Sequence, residues 1–501
     1  MVDYYILADE DWDIFDIQRI ISNNLKLKLS DSVAQKVAKN RSYLEKVISS
    51  SSSAIYGINT GFGSLCDIRI SDENLEELQL NLIRSHACGM GDLVPLEVVK
   101  IIFLLKIKNL CLGFSGVRLS LIEKMIEYFN HEIYPVIYTL GSLGASGDLA
   151  PLAHLSLPLV GEGDVWFGGE KYPTAQILKK LNISPTNLES KEGLALLNGT
   201  QFCTAYGVFG LLNAHRIIEW ANAISAFSLS AFDCSVKPFD ASLHKVRRQF
   251  GQISISRRIV SLISEINSYG EISQYVQDPY SFRCIPQVHG ASLDLINFFT
   301  NTIHYEINAV TDNPTVFDQE DKILSGGNFH AQPIALGLDI LAMALSELAN
   351  ISERRIFHLI SGKRELPAFL TPNAGLNSGL MIAQYTAAGI VSQNKQLCTP
   401  ASVDSIVSCN GQEDHVSMGA NAATKCYQVV LNTLRVLGIE LIVSNQALYF
   451  KSISFNPGGL NNLLEKTRDT IPYFDSDIIL YPHLDSAFQL LKNNSFADYE
   501  K

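Results

Sequence analysis

The stretch from Tyr206 to Phe232, YGVFGLLNAHRIIEWANAISAFSLSAF, decides the fold. It is apolar nearly all round, with Arg216 and Glu219 among the few exceptions. A helix without a polar stripe has to be buried among other helices. Two more stretches carry the period of a helix face. Ile334, Leu338, Leu341, Leu345 and Leu348 are spaced by four, three, four and three, with Pro333 placed for a first turn. Ala423, Cys426, Val430, Leu434, Leu437 and Leu441 repeat the pattern. Several long helices with few strand signals predict an all-α (mainly helical) fold built on a long central helical bundle.

Towards the N-terminus the character changes. Residues 131–200 are dense in Gly and Pro, and Val165-Trp166-Phe167-Gly168-Gly169 reads as a small hairpin. Leu75 to Asn130 is mostly helical, with a break at Cys88-Gly89-Met90-Gly91. Residues 1–60 read as short helices, one capped by Ser30 to Ser32 ahead of Val33–Ala38, with a polar loop at Ser49–Ser53. Two domains are expected, a smaller one over 1–200 and the bundle over 201–501.

A chain of 501 residues buries enough surface to need no disulfide or metal staple. Its 39 basic and 51 acidic residues leave a net charge of −12 without a basic stripe, which argues against nucleic acid as a partner. Met1 to Leu7 runs into Asp9-Glu10-Asp11 with no positive n-region, so no signal peptide is expected. No uncharged apolar run of about 18 residues suggests a membrane span. The nine scattered cysteines form no CxxC pair and suit a reducing compartment, so a cytoplasmic location is expected.

The chemistry-bearing stretch is Gly141-Ser142-Leu143-Gly144-Ala145-Ser146-Gly147-Asp148-Leu149-Ala150-Pro151-Leu152-Ala153-His154. As a phosphate cradle it has the wrong glycine spacing, and Asp148 would repel phosphate where a helix should begin. As a nucleophile elbow it lacks the second glycine, because position 148 is Asp. The third reading is backbone cyclisation, in which the Gly147 nitrogen attacks the Ala145 carbonyl carbon. Gly147 has no Cβ and tolerates the strain, and Ala145 leaves its carbonyl unhindered. Dehydration of Ser146 would then leave a conjugated methylidene, an electron sink that no ordinary side chain supplies. Spacing alone leaves a plain Gly-rich turn open.

The whole string resembles the active-site signature of the aromatic amino acid ammonia-lyases, which use 4-methylideneimidazol-5-one (MIO). Further motifs resemble that family in its own order: Tyr56 to Gly63, Asn198-Gly199-Thr200, Gln277 to Cys284, Asp312-Asn313-Pro314 and Gly326 to His330. The similarity runs from about residue 30 to about residue 450. It implies an MIO group formed from Ala145, Ser146 and Gly147 inside the 1–200 domain. It also implies a small amino-acid substrate and a homotetramer with shared active sites.

Carried over residue by residue, the resemblance makes Tyr56 the catalytic base and Arg283 the grip on the substrate's α-carboxylate, which suits a planar guanidinium. Asn198, Gln277, Tyr280 and Asn313 match residues around the MIO ring and substrate, where donors can stabilise developing negative charge. Phe329 matches an aromatic wall. Read alone, Arg283 would be a surface ion pair and Phe329 or Tyr56 ordinary packing.

Two positions bear on the substrate. Ser85-His86 falls where the family places its ring-selectivity pair, and His86 argues against phenylalanine without excluding tyrosine. Glu413 resembles the glutamate directed at an imidazole, since a carboxylate accepts an imidazole N–H but would sit desolvated against a phenyl ring. These residues favour L-histidine, giving trans-urocanate and ammonia, with a tyrosine ammonia-lyase or 2,3-aminomutase as the alternative. Cys409-Asn410-Gly411 departs from the family pattern just before Gln412. A serine hydrolase using Ser146 and a non-catalytic helical scaffold are rivals from other classes. His131-Glu132 lacks the second His of H-E-x-x-H, and no metal is expected in the site.

Overall fold

Four long helices form where apolar residues dominate: Gln201–Ala231, Ile285–Ile307, Gln332–Leu359 and Gly419–Tyr449. In the computed structural model the described residues are 3–50, 55–65, 67–267, 275–451 and 453–500, with Asp72 described by its backbone only. The stripe at Ile334, Leu338, Leu341, Leu345 and Leu348 is wholly buried, as is that from Ala423 to Leu441 apart from a trace at Cys426. Pro333 is the second residue of its helix, where its missing N–H costs nothing. Gln332–Leu359 and Gly419–Tyr449 are long and apolar enough to cross a membrane, but 72% and 78% of their apolar windows are buried inside the protein. Core helices of a large domain have this composition. The chain is predominantly helical, as its apolar spacing predicts.

The chain divides into two compact units, neither contiguous in sequence. The first gathers Met1–Leu212, Thr300–Asp339 and Pro400–Thr424; the second gathers Asn213–Phe299, Ile340–Thr399 and Lys425–Lys501. The N-terminal stretch of the first therefore runs past the boundary expected at residue 200, and the unit takes back two later stretches.

Within the first unit the Leu96–Cys111 helix is buried from Val98 to Cys111 apart from Lys100, and the buried residues include Lys106 and Lys108. The expected hairpin pairs Asp164–Phe167 with Glu170–Pro173 across Gly168-Gly169. Met90–Leu93 pairs antiparallel with Tyr138–Leu140, the strand that leads into the Gly141 loop. Two details differ from expectation. Tyr4–Leu7 and Lys26–Leu29 form a short parallel pair, too brief to show a period in sequence. Ser49 and Ser50 end the Asp31–Ser50 helix rather than standing in a loop, and the rest of that polar run lies outside the described residues.

The second unit is pinned by a buried ion pair. Arg355 donates to both oxygens of Glu440, at 2.5 and 2.8 Å, and neither side chain is exposed. Ser228 Oγ adds a third bond to Glu440 at 2.6 Å. Phe282 stacks on Phe232 at 4.8 Å with planes 5° apart, which fixes the short Tyr280–Arg283 helix. Asp278 just before it accepts from Arg364 at 2.7 Å and from the Ser235 N–H at 2.8 Å.

Candidate active site

The Gly141 loop turns between the Tyr138–Leu140 strand and the Leu149–Ser156 helix through left-handed backbone at Gly144, Ser146 and Gly147. For Ser146, with φ of 49°, this conformation is costly, and such strain clusters at functional positions. Gly147 has no alternative. Its φ is 83°, and a Cβ there would lie 2.2 Å from the Gly199 carbonyl oxygen. Gly147 pairs with Gly199 in a parallel bridge, and the Asp148 N–H donates to Gly199 O at 2.8 Å. Ala145 packs on Val416 and Met418.

Three contacts fix the loop's functional atoms. Asn198 Nδ2 donates to the Ser146 carbonyl at 3.0 Å. Ser146 Oγ donates to Glu413 Oε1 at 2.9 Å. Ser408 Oγ holds the other oxygen of that carboxylate at 2.6 Å. Beneath the loop, Asp148 is wholly buried and accepts from Ser142 Oγ, the Cys203 N–H and Cys203 Sγ. Burial pushes its carboxyl up, and these donated bonds resist the rise.

Two cavities meet the loop. The larger, about 650 Å³, is bounded by Tyr56, His86, Ser146, Asn198 and Glu413 together with apolar side chains such as Phe62 and Leu82. The smaller, about 260 Å³, is bounded by Tyr56, Ala145, Ser146, Asn198, Asn313, Phe329 and Glu413. Four of the expected site residues, Tyr56, Ser146, Asn198 and Glu413, thus border both. Tyr56 Oη accepts the Gly63 N–H at 3.5 Å. Asn313, which precedes a cis peptide bond to Pro314, accepts the Gly326 N–H at 2.7 Å and so ties down the Gly326–Phe329 turn. His86 Nδ1 donates to the Leu82 carbonyl at 2.8 Å, and burial holds its imidazole below the usual histidine range. A neutral ring bonded in this way keeps Nε2 as an acceptor.

Gln277 and Arg283 border a separate cavity of about 300 Å³ formed by second-unit residues alone. With its amide oxygen turned to the guanidinium, Gln277 accepts from Arg283 at 3.0 and 3.3 Å. The guanidinium carbon lies 4.5 Å over the Tyr280 ring, which is 71% exposed. Arg283 Nε is buried with no acceptor among the described residues. The loop residues and the arginine residues therefore occupy different cavities.

A profile of the family described as aromatic amino acid lyase matches residues 13–469. The chain belongs to the aromatic amino acid lyase family. It is accordingly an enzyme, a carbon–nitrogen lyase. The histidine ammonia-lyase of Bacillus subtilis (strain 168) is 44% identical over 484 residues, spanning 96% of this chain and 95% of that protein. Among solved structures, histidine ammonia-lyase from Trypanosoma cruzi matches with a TM-score of 0.91 and 35% identity, covering 99% of this chain and 94% of that one. Tyrosine aminomutase from Streptomyces globisporus matches with a TM-score of 0.93 and 30% identity, covering 99% and 98%. The fold is common to lyases and mutases of this group, so side chains must decide between substrates.

Several contacts around the aromatic amino acid lyase loop escape a reading of motifs. Lys106 Nζ donates to the Asn198 carbonyl at 2.7 Å from a fully buried position. Lys191 and Asp312 form a buried ion pair at 2.7 Å. His330 and His415 stack at 5.4 Å beside the smaller cavity. A lysine directly after the apolar run Ile101 to Leu105 was the available signal for the first of these. The described residues contain no group of three or more His, Cys, Asp or Glu that could hold a metal ion.

Proposed function

We propose that the chain converts L-histidine to trans-urocanate and ammonia, using an MIO group formed by Ala145, Ser146 and Gly147. One observation carries the reading: Glu413 lies 2.9 Å from Ser146 Oγ, with its second oxygen held by Ser408. A carboxylate fixed there accepts an N–H from a substrate imidazole and stabilises positive charge on it. Against the apolar ring of phenylalanine it would be desolvated and unpaired. His86 accepts from the same ring through Nε2, the acceptor that its bond to Leu82 leaves it. The 44% identity to a histidine ammonia-lyase favours the same substrate over tyrosine.

The loop suits MIO on its own geometry. Gly147 has room for no side chain, and the backbone is already left-handed from Ser146 to Gly147. MIO supplies a conjugated electrophile that makes the amine a workable leaving group. Asn198 donates to the Ser146 carbonyl, the oxygen that survives ring closure, and so places a donor where negative charge collects. Tyr56 takes the β-proton from the substrate. Arg283 grips the α-carboxylate through its planar fork, with Gln277 and Tyr280 orienting it. Phe329 walls the ring, and Asn313 sets the turn that carries it. The proposed assembly is a cytoplasmic homotetramer with shared active sites, and the eight described cysteines, all free, suit that compartment.

The test is absorbance of the purified protein in the near ultraviolet with L-histidine, L-tyrosine and L-phenylalanine side by side. Urocanate is expected from histidine alone, and almost none from Ser146→Ala. Equal turnover by Ser146→Ala removes the electrophile assignment. Turnover of tyrosine in preference to histidine, or formation of a β-amino acid, removes the substrate assignment.

A further inference from the structure

We infer that Lys106 is a positioning residue for the Ser146 loop, its ammonium fixing Asn198 against the loop's own carbonyl. The inference rests on the cyclisation reading for its consequence, but not for its geometry.

Lys106 lies in the Leu96–Cys111 helix between Leu105 and Ile107, and none of its side chain reaches solvent. Burying an ammonium costs several kcal/mol unless it is paired and bonded, and an apolar side chain would fill the position without that cost. The ammonium makes one strong bond, to the Asn198 carbonyl at 2.7 Å. Burial drives its pKa down to about 7, while Asp312 and Asp148 favour the charged form and Lys191 opposes it.

Asn198 is the residue whose orientation matters. Its Nδ2 donates to the Ser146 carbonyl, yet its Oδ1 is buried with no partner among the described residues, so none of these steadies the amide from its own far side. Steadying has to come through the backbone. That backbone is held by the Asn198 N–H on Leu194 and by Lys106 on the carbonyl. The next residue, Gly199, pairs with Gly147 and accepts from Asp148. One ammonium thus anchors the two-residue segment that borders the loop from Ser146 to Asp148.

Ring closure joins Gly147 N to the Ala145 carbonyl carbon. The Ala145 oxygen leaves as water with the amide hydrogens of Ser146 and Gly147. Ser146 Oγ then leaves as a second water with its own hydrogen and that on Ser146 Cα. A loosened Asn198 slows this closure, because the reacting backbone spends less time in its strained conformation.

The experiment compares full-length parent, Lys106→Met and Lys106→Gln by amide hydrogen exchange and by intact mass after timed expression. In Lys106→Met, exchange in peptides spanning 143–150 and 197–201 is expected to quicken at least tenfold, with other core helices unaltered. The share of chains lighter by two waters is expected to fall several-fold. Lys106→Gln, which retains a donor, falls between the two. Parent-like loop exchange in both variants overturns the inference, including when the melting temperature drops, since that marks a packing role alone. A parent chain of unmodified mass overturns the cyclisation reading instead, and loop exchange still decides Lys106.

Discussion

Around Ser146 the protein has tied its polar groups to one another: Ser146 to Glu413, Asn198 to the Ser146 carbonyl, Lys106 to Asn198. Around Arg283, apart from the Gln277 amide, it has left them open, with a buried Nε lacking an acceptor among the described residues and a Tyr280 ring mostly in solvent. The first arrangement suits a centre that must be built before any substrate arrives. The second suits a grip completed by a ligand's own oxygens. Preorganised donors act at no reorganisation cost, whereas an unsatisfied buried donor is worth most when an anion meets it. Substitutions in the two cavities should therefore fail in different ways.

The largest effect is expected from Gly147→Ala. The added Cβ would meet Gly199 O at 2.2 Å in a left-handed backbone, so the bridge between Gly147 and Gly199 cannot persist. Activity is expected to fall on the order of 10³-fold or more, a small part of what enzymes supply over the uncatalysed rate. Intact mass should show chains that never lost two waters. A variant with parent mass and near-parent turnover would erase the contrast between the two cavities.

Arg283→Lys should behave oppositely. The loop should mature fully, with unaltered mass, while kcat/KM falls by about 10²-fold. Lysine cannot reproduce a bidentate grip, and truncating one partner of a buried charge pair costs about 2–5 kcal/mol. A mass defect in this variant would show that the two cavities are coupled during maturation. Glu413→Gln should cost less, about tenfold to 10²-fold on histidine. Gln can still accept the bond from Ser146 but offers an imidazole no charge. The loss should be smaller for tyrosine tested beside it, and an equal loss on both would detach Glu413 from ring recognition.

How far the sequence could be read divides along the same line. The Tyr206–Phe232 run and the Ile334–Leu348 stripe announce buried helices, because periodicity records burial directly. The Ala145-Ser146-Gly147 loop and Glu413 were legible as motifs, and they prove to be neighbours although 267 positions separate Ser146 from Glu413. What could not be read was the support beneath. Lys106 sits in an apolar helix without a motif, and its bond to Asn198 joins residues 92 positions apart. Nor could sequence show that Gln277 and Arg283 border a different cavity from Tyr56, since chain order says nothing about which side chains line a common surface.

The smallest effect concerns acid stability, and it tests whether the second unit's interior is separate from its arginine cavity. His289 is wholly buried, with Nδ1 bonded to Asn222 Oδ1 at 2.9 Å and Nε2 without a partner among the described residues. Burial first, and Arg355 second, hold its imidazole well below the usual histidine range. The folded chain therefore keeps His289 neutral where the unfolded chain protonates it, below a pKa of about 6.5. Below that pH the unfolded state binds more protons, so the stability His289 contributes is complete above about 6.5 and drains as pH falls towards the folded value. The loss can reach about 1.4 kcal/mol per pH unit, or roughly 1 °C in melting temperature for a chain of this length. Carboxylates add their own slope in acid, so the informative quantity is the difference between the parent and His289→Gln, measured by scanning calorimetry from pH 7 to pH 5. The variant should melt lower at pH 7 and lose less on acidification, with KM for histidine unaltered. Parallel pH profiles would mean that the imidazole is solvated or already charged in the folded protein. A changed KM would mean that the buried interior and the arginine cavity share one cooperative packing.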